Sequence, residues 1–213
     1  MPLARYKNLA AERKDAILRA AAHEFAEKGY ERASLNRMIK EAGLSKGTFY
    51  YYFEDKADLF VTVLRVKLPW EAWSEEAGLM ETSDLVTFWE AFKALEVRKY
   101  AYLGEYPDIA RLAKALGTLT DSHYENASLK DYLDDRGAGL RGVLGHGRRV
   151  GAIRSDVPMQ LLLSLSEGIG RSLNEWIFED WDVLSQVERT ERGEVALETI
   201  RRVLSVSGGE ALG

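Results

Sequence analysis

The sequence has no cysteine and only four prolines among its 213 residues. The lack of cysteine excludes disulfide scaffolds, thiolate zinc sites and cysteine nucleophiles. The longest run of strongly apolar side chains, Leu161 to Leu163, is far shorter than the ~20 residues that span a bilayer. Because the first residues also lack the apolar stretch of a signal peptide, we expect a cytoplasmic protein without a membrane partner.

Catalytic and metal-binding patterns are equally scarce. The three histidines are scattered, and none stands at a convincing metal-ligand spacing. Residues 43–47 spell G-x-S-x-G, but a predicted helix precedes them where a hydrolase nucleophile needs a strand. Residues 137–142 spell G-x-G-x-x-G, but the stretch before them is too acidic for a buried strand. We therefore expect no metal site, no cofactor and no catalytic residue, and a protein that is not an enzyme.

Apolar and charged residues dominate what remains, at 46% and 30% of the chain. This composition supports a buried core and favours helices over loops. The formal charge of −5 argues against a nucleic-acid partner only if the charge is evenly spread. Residues 1–60 carry 11 basic and 9 acidic side chains, a charge of +2, which leaves −7 for the rest. Residues 32–52 hold four basic side chains against one acidic side chain, and by itself this cluster is either an ordinary solvated face or a basic surface for a partner.

The N-terminal region begins with an amphipathic helix over residues 12–28. Its apolar side chains from Ile17 to Phe25 recur every four residues. Gly29 can end this helix in the left-handed conformation, and Tyr30 can fold back as its apolar contact.

Two short helices follow, each preceded by a serine that can cap its N-terminus. Ser34 precedes a helix that ends at Gly43, and Ser45 precedes the segment Lys46–Phe53. Asp55 can cap the next helix. Two short helices joined by a tight glycine-containing turn form a helix-turn-helix, whose second helix lies in the major groove of DNA. We therefore predict that Lys46–Phe53 is a recognition helix.

The side chains of this segment divide into anchors and exposed groups. Phe49 and Phe53 are four residues apart and share a face, so both are predicted to be core. The consecutive residues Tyr50–Tyr52 spread over about 300° of a helix, so at least one must be exposed. Phenol hydroxyls can bond phosphates and ring faces can contact thymine methyls, while Gly47 leaves room for close approach.

The stretch from Gly43 to Phe53, followed by Lys56, resembles the signature of the TetR family of transcriptional regulators. The resemblance covers roughly residues 10–65, about a quarter of the chain. One position departs, since Tyr52 stands where the family most often has histidine. The candidate DNA-binding residues, most of them matched through this resemblance, are Ser34, Asn36, Arg37, Ser45, Lys46, Gly47, Thr48, Tyr50, Tyr51, Tyr52 and Lys56.

We expect an all-α fold with two domains. Residues 1–55 would form a three-helix helix-turn-helix DNA-binding domain, and residues 56–213 a larger helical domain for effector binding and dimerisation. In the second domain Ser83 can cap one helix and Pro107 can open another. Five glycines within residues 137–147 leave two alternatives, a locally loose helix or a loop between two shorter helices.

The chain closes with two strongly apolar helices, one starting near residue 158 and one at roughly 190–206. They have more apolar surface than one small domain can cover, and in TetR-like proteins the last two long helices pair into a four-helix bundle. A two-fold homodimer would match a palindromic operator. The candidate interface residues are Leu162, Leu165, Ile169, Leu173, Ile200, Val203 and Leu204.

Aromatic residues are frequent in the second domain. Such residues line apolar pockets, but they are more often ordinary core. The family resemblance implies an effector pocket here, closed by the helix that Asp55 caps, and ligand binding would swing that helix and change the separation of the recognition helices. The candidate pocket residues are Trp70, Trp73, Phe88, Trp89, Phe92, Tyr102, Tyr106 and Tyr124.

The leading hypothesis is a ligand-responsive transcriptional repressor. It would bind a palindromic double-stranded DNA operator as a homodimer and be released by a small, lipophilic effector. The alternative is a small-molecule-binding or enzymatic helical protein that keeps a helix-turn-helix for another purpose. Salt-dependent binding to promoter DNA would favour the first.

Overall fold

The computed structural model describes residues 4–117, 119 and 125–205 of the chain. All secondary structure in those residues is helical, which confirms the expected all-α class. The α-helices are α1 (Ala4–Lys7), α2 (Ala11–Arg32), α3 (Leu35–Glu41), α4 (Lys46–Tyr52), α5 (Lys56–Lys67), α6 (Trp70–Glu76), α7 (Leu85–Glu105), α8 (Pro107–Gly117), α9 (Ala127–Arg149), α10 (Met159–Ile177) and α11 (Gln186–Leu204), with a 3-10 turn at Leu79–Glu81.

The chain divides into two compact units. The first unit is Met1–Pro69 with Tyr106–Asp134, and the second is Trp70–Glu105 with Asp135–Gly213. The first unit includes α5 and α8 because both pack against α2. The boundary expected between residues 55 and 56 separates DNA binding from effector binding, whereas these two units are defined by compactness. The expected boundary stays a prediction.

Phenylalanines form the centre of the first unit. Phe25, Phe49, Phe53 and Phe60 are each at most 1% exposed, and Leu112 of α8 joins the same cluster. The rings of Phe25 and Phe60 meet edge to face, with 4.7 Å between their centroids. Because Phe25 lies on the apolar face that the periodicity predicts, the amphipathic interpretation of α2 is confirmed.

The predicted N-terminal caps of α3, α4 and α5 are all present. Ser34, Ser45 and Asp55 each accept a hydrogen bond from the backbone N–H three residues later, at 3.4, 3.0 and 2.8 Å. These bonds satisfy N–H groups that have no partner inside the helix. The positions at which these three short helices begin therefore follow from local sequence.

The helical backbone of α2 is interrupted at the predicted glycine. Gly29 has φ 70° and ψ 168°, so the helical backbone is broken there, but the helix resumes and runs to Arg32. The turn is closed by Ala33, whose N–H donates to the Gly29 carbonyl at 3.1 Å. Tyr30 still packs inward, with its ring centroid 4.9 Å from that of Phe60. The first segment of α2 therefore ends at Gly29 as predicted, and the further turn up to Arg32 was not expected.

In the second unit α11 packs against α7 and α10. The start of α7 corrects the expected cap, because Asp84 and not Ser83 accepts hydrogen bonds from two backbone N–H groups of the first turn, at 2.8 and 2.9 Å. A capping box at Ser185 starts α11 at Gln186, earlier than the expected residue 190.

The glycine-rich stretch 137–147 is part of one continuous helix, α9. This helix begins in the first unit and ends in the second. A Cβ atom at Gly147 would lie 2.3 Å from Ile153 Cγ1 and 2.9 Å from Phe88 Cζ. The choice that the sequence left open between helix and loop therefore resolves to helix, because α9 is continuous. Close packing around Gly147 leaves no room for a side chain at that position.

Within residues 4–117, 119 and 125–205, no helix has the length and apolarity needed to cross a membrane. The same part of the chain contains no group of three or more His, Asp or Glu side chains placed to hold a metal ion.

Candidate DNA-binding surface

The predicted recognition helix, α4, is a short helix with a fixed start and two buried anchors. Ser45 caps it, and the Ser45 and Thr48 hydroxyls lie 2.8 Å apart. Phe49 and Phe53 are 1% and 0% exposed and stack with 5.4 Å between their ring centroids. Both predicted anchors are therefore confirmed, and together they fix which face of α4 points away from the core.

Tyr50 and Tyr51 of α4 occupy that outward face, whereas Tyr52 packs against the core. Tyr50 and Tyr51 are 55% and 50% exposed, while Tyr52 is half-buried. The Tyr51 and Tyr52 rings meet edge to face at 5.3 Å. Because Lys46 and Gly47 are exposed as well, the first turn of the helix presents a cation and open backbone beside the phenols. The expectation that at least one tyrosine is exposed is confirmed.

A buried carboxylate holds the start of α3. Glu24 on α2 is 2% exposed; its Oε1 accepts a hydrogen bond from the Ser34 N–H at 3.0 Å, and its Oε2 lies 3.4 Å from Arg37 Nε. Asn36 and Arg37 are exposed. Sequence analysis missed Glu24, although an acidic residue directly beside Phe25 on an apolar face was a visible signal.

The turn of the helix-turn-helix is also tied to α2. Gly43 has φ 62°, in the left-handed region that favours glycine. Its carbonyl accepts a hydrogen bond from Arg13 Nη2 at 2.8 Å. Arg13 therefore fixes the end of α3 relative to the first long helix.

Lys56 has an internal function in this structure. Its Nζ donates to the Tyr30 and Glu31 carbonyls at 2.8 and 3.1 Å and lies 4.7 Å from the Tyr30 ring centroid. Lys56 thus binds the C-terminal end of α2, where a cation is favourable. Its assignment as a DNA contact stays a prediction, and the side chain is only half-exposed.

The caps of α5 and α9 are joined by a hydrogen bond. Asn126 Oδ1 accepts from the N–H groups of Ser128 and Leu129 at 3.0 and 3.3 Å and so caps α9. Its Nδ2 donates to Asp55 Oδ2 at 2.8 Å, while Asp55 Oδ1 caps α5. One asparagine therefore connects the start of α9 to α5, the helix that follows α4.

Five of the eight aromatic residues predicted to line an effector pocket form two groups in the second unit. Trp73 is buried and its ring lies 5.2 Å from Tyr102. Phe88 is buried with Trp89 and Phe92 around it, at ring distances of 5.4 and 6.5 Å. A groove of about 560 Å³ between α7 and α11 includes Trp89 in its lining. Trp73 and Phe88 are core residues, and an effector-binding role for the set stays a prediction.

Two of the predicted pocket residues fall elsewhere. Tyr106 belongs to the first unit and is 44% exposed. Tyr124 lies outside the described residues.

Sequence analysis also missed a buried ion pair in the second unit. Lys99 forms an ion pair with Glu96, which is 4% exposed. The Lys99 Nζ lies 4.3 Å from the Tyr100 ring centroid and 5.7 Å from that of Trp70. Burial is the largest single influence and lowers the pKa of Lys99, but the Glu96 carboxylate and the Tyr100 phenol together raise it by more, so the net pKa lies above its ordinary value. Trp70 therefore borders a charged site.

Two residues assigned to the dimer surface are core residues instead. Leu162 and Leu204 are 0% and 6% exposed. The Leu204 carbonyl accepts a hydrogen bond from the Arg154 N–H at 2.7 Å, which fastens the end of α11 inside the unit. Because these side chains are buried within one chain, they cannot supply surface to a second copy.

The other candidate interface residues retain some exposure. Leu165 is 40% exposed, and Ile169, Leu173, Ile200 and Val203 are half-buried. The helices also expose large apolar residues that were not assigned: Leu161 and Trp176 on α10, and Val187 and Val195 on α11. A dimer through α10 and α11 stays a prediction.

Comparison with known proteins identifies the helix-turn-helix. Residues 17–63 match the family described as bacterial regulatory proteins, tetR family. The chain is 25% identical over 170 residues to the fatty acid metabolism regulator protein of Bacillus subtilis (strain 168), which covers 77% of this chain and 83% of the relative. It is 40% identical over 68 residues to the transcriptional repressor BepR of Brucella suis, which covers 32% of each chain.

Solved structures share the fold. FadR from Bacillus subtilis in complex with stearoyl-CoA superposes with a TM-score of 0.65 at 20% identity, covering 88% of this chain and 97% of that one. SmeT, the repressor of a Stenotrophomonas maltophilia multidrug efflux pump, superposes with a TM-score of 0.66 at 17% identity, covering 92% and 91%. At these identities the likeness shows the fold alone, and the match of residues 17–63 confirms the resemblance to the TetR family.

Proposed function

We propose that the chain, whose residues 17–63 match the tetR family of bacterial regulatory proteins, is a transcriptional repressor that a lipophilic effector releases from its operator. As a homodimer it places two α4 helices in successive major grooves of a palindromic site. Binding of the effector to the second unit weakens this complex.

The outward face of α4 carries this proposal. Lys46 and Thr48 stand in the first turn, the part of a recognition helix that reaches base edges. Tyr50 and Tyr51 are half-exposed beside them and can donate to backbone phosphates. Because Phe49 and Phe53 lock the opposite face into the core, this set of groups is presented in one fixed orientation.

Dimerisation is supported by the apolar residues that α10 and α11 leave exposed. Leu161, Leu165 and Trp176 on α10 are exposed by 51%, 40% and 38%. On α11, Val187 and Val195 are exposed by 66% and 53%. Pairing of two copies through these helices would remove this apolar surface from water and would give the two-fold axis that a palindromic site requires.

A long acyl chain is the effector class that the relatives favour. The Bacillus subtilis relative is a regulator of fatty acid metabolism, and one structure of the same fold holds stearoyl-CoA. We propose that a long-chain acyl group binds among the aromatic side chains of the second unit. The coupling needed to release DNA is about 1–3 kcal/mol.

The link between Asn126 and Asp55 supplies a route for that coupling. A ligand that displaces α9 would pull on the cap of α5, which follows α4 directly in sequence. Replacement of Asn126 by alanine is expected to leave operator binding without ligand nearly unchanged and to reduce the loss of binding that ligand causes. Equal ligand sensitivity of Asn126→Ala and the wild type in the same titration would exclude this route.

The proposal is tested by selection of binding sites from a random duplex library with the full chain. We expect recovery of palindromic sequences with half-sites separated by about 34–36 Å, or a multiple of that distance. Stearoyl-CoA should then lower affinity for the recovered duplex, with coenzyme A alone as the control. Failure to enrich any sequence would contradict sequence-specific DNA binding. Unchanged affinity for the recovered duplex at saturating stearoyl-CoA would contradict this effector class.

A further inference from the structure

The N-terminal helix α1 is fastened to the recognition helix. Its Tyr6 side chain is 6% exposed, and its ring centroid lies 5.0 Å from that of Phe53, which is fully buried. Burial raises the pKa of Tyr6 to about 12, so the anchoring phenol stays neutral at physiological pH. The helix α1 therefore has a defined position beside α4.

The residue next to this anchor places a cation on the exposed surface of α4. The Arg5 guanidinium carbon lies 4.5 Å from the Tyr51 ring centroid. Both side chains are exposed, and Tyr51 retains 50% of its surface. The stacking leaves the edge of the guanidinium group and the Tyr51 hydroxyl able to donate outward together.

A lysine of α2 also holds α1 in place. Lys14 Nζ on α2 donates to the Lys7 carbonyl at 2.8 Å and lies 5.7 Å from the Tyr6 ring centroid. Lys7, which follows Tyr6 in the sequence, has an exposed side chain. The exposed side chains of Arg5 and Lys7 therefore place positive charge on α1, although residues 1–60 as a whole carry only +2.

We propose that Arg5 binds a phosphate of the operator backbone together with Tyr51, so that α1 extends the DNA-binding surface beyond the helix-turn-helix. Tyr51 is the sixth residue of the seven in α4, away from the first turn that reads base edges. A guanidinium group forms two parallel bonds with a phosphate, which suits this position better than a base contact. The inference rests on the proposed DNA-binding function.

The salt dependence of binding to the selected duplex tests this assignment. The slope of log K against log salt is negative, and each lost phosphate contact makes it less steep by ~0.9. Arg5→Ala in both subunits of a dimer is therefore expected to make the slope less steep by ~1.8. Arg5→Lys should retain most of the slope because it retains the charge. Arg19→Ala is the matched control, since Arg19 is a 70% exposed arginine of the same unit that pairs with Asp15.

Three results would overturn the inference. One is a slope for Arg5→Ala equal to that of Arg19→Ala. Another is an affinity loss with an unchanged slope, which would mean that Arg5 only positions Tyr51. The third is a changed base preference in a repeated selection, which would mean a base contact. Because the wild type must first enrich a sequence, failure of the proposed function is seen before Arg5 is tested.

Discussion

The two units use their aromatic residues in different ways. In the first unit Phe25, Phe49, Phe53 and Phe60 form one closed cluster, which holds α4 with Tyr50 and Tyr51 outward. In the second unit the aromatic side chains of α6 and α7 are distributed between buried core, a half-exposed groove and a charged site around Lys99. The first arrangement suits a surface that must stay rigid, and the second suits a region that must accommodate a ligand.

Alanine substitutions at two phenylalanines test this comparison with the largest expected effect. Phe53→Ala removes a fully buried ring and should lower the free energy of unfolding by about 3–5 kcal/mol. Phe92→Ala removes a half-buried ring and should cost clearly less. Urea denaturation followed by circular dichroism measures both. An equal loss in the two variants would show that the aromatic residues of the second unit are packed as tightly as those of the first.

The buried carboxylates provide the next test. Glu24→Gln weakens the contact with Arg37, and Glu96→Gln weakens the contact with Lys99, so each should lower the free energy of unfolding by about 1–3 kcal/mol. Only Glu24→Gln should also weaken DNA binding, because it alone holds the start of α3. Urea titrations and operator titrations of the two variants separate these effects. If Glu96→Gln also bound DNA more weakly while it was fully folded, the DNA-binding effect would not be specific to Glu24.

Cap substitutions should give the smallest effect and the same one in both units. Ser45→Ala and Ser185→Ala each remove an N-terminal cap of a helix and should cost about 1 kcal/mol of stability. Ser45→Gly and Ser185→Gly, which lose only a few tenths by the same measurement, are the matched controls. A large excess cost at Ser45 would indicate that its hydroxyl has a further structural function through Thr48.

The contrast between the units also explains what the sequence could predict. The starts of α3, α4 and α5 depend on serine and aspartate caps within three residues of the N–H groups they bind, and these were predicted correctly. The anchors Phe49 and Phe53 followed from helical spacing alone. Asp84 was missed as a cap because it is adjacent to an equally plausible serine.

Features that depend on distant parts of the chain were harder to predict. Leu162 and Leu204 have the same apolar character as exposed neighbours, and only their packing shows that they are buried within one chain. The link between Asn126 and Asp55 joins residues 71 positions apart, and no local pattern indicates it. The contact of Arg5 with Tyr51 likewise required the position of α1.

The central claim is that the outward face of α4 reads DNA, and one matched pair of variants tests it most directly. Lys46→Ala removes a cation from the first turn of α4, whereas Arg98→Ala removes an exposed arginine of the second unit that pairs with Glu76. In titrations of the selected duplex at fixed salt, Lys46→Ala should lose about 1–3 kcal/mol of binding free energy per contact. Arg98→Ala should bind like the wild type. Equal affinity of Lys46→Ala and Arg98→Ala would contradict the account.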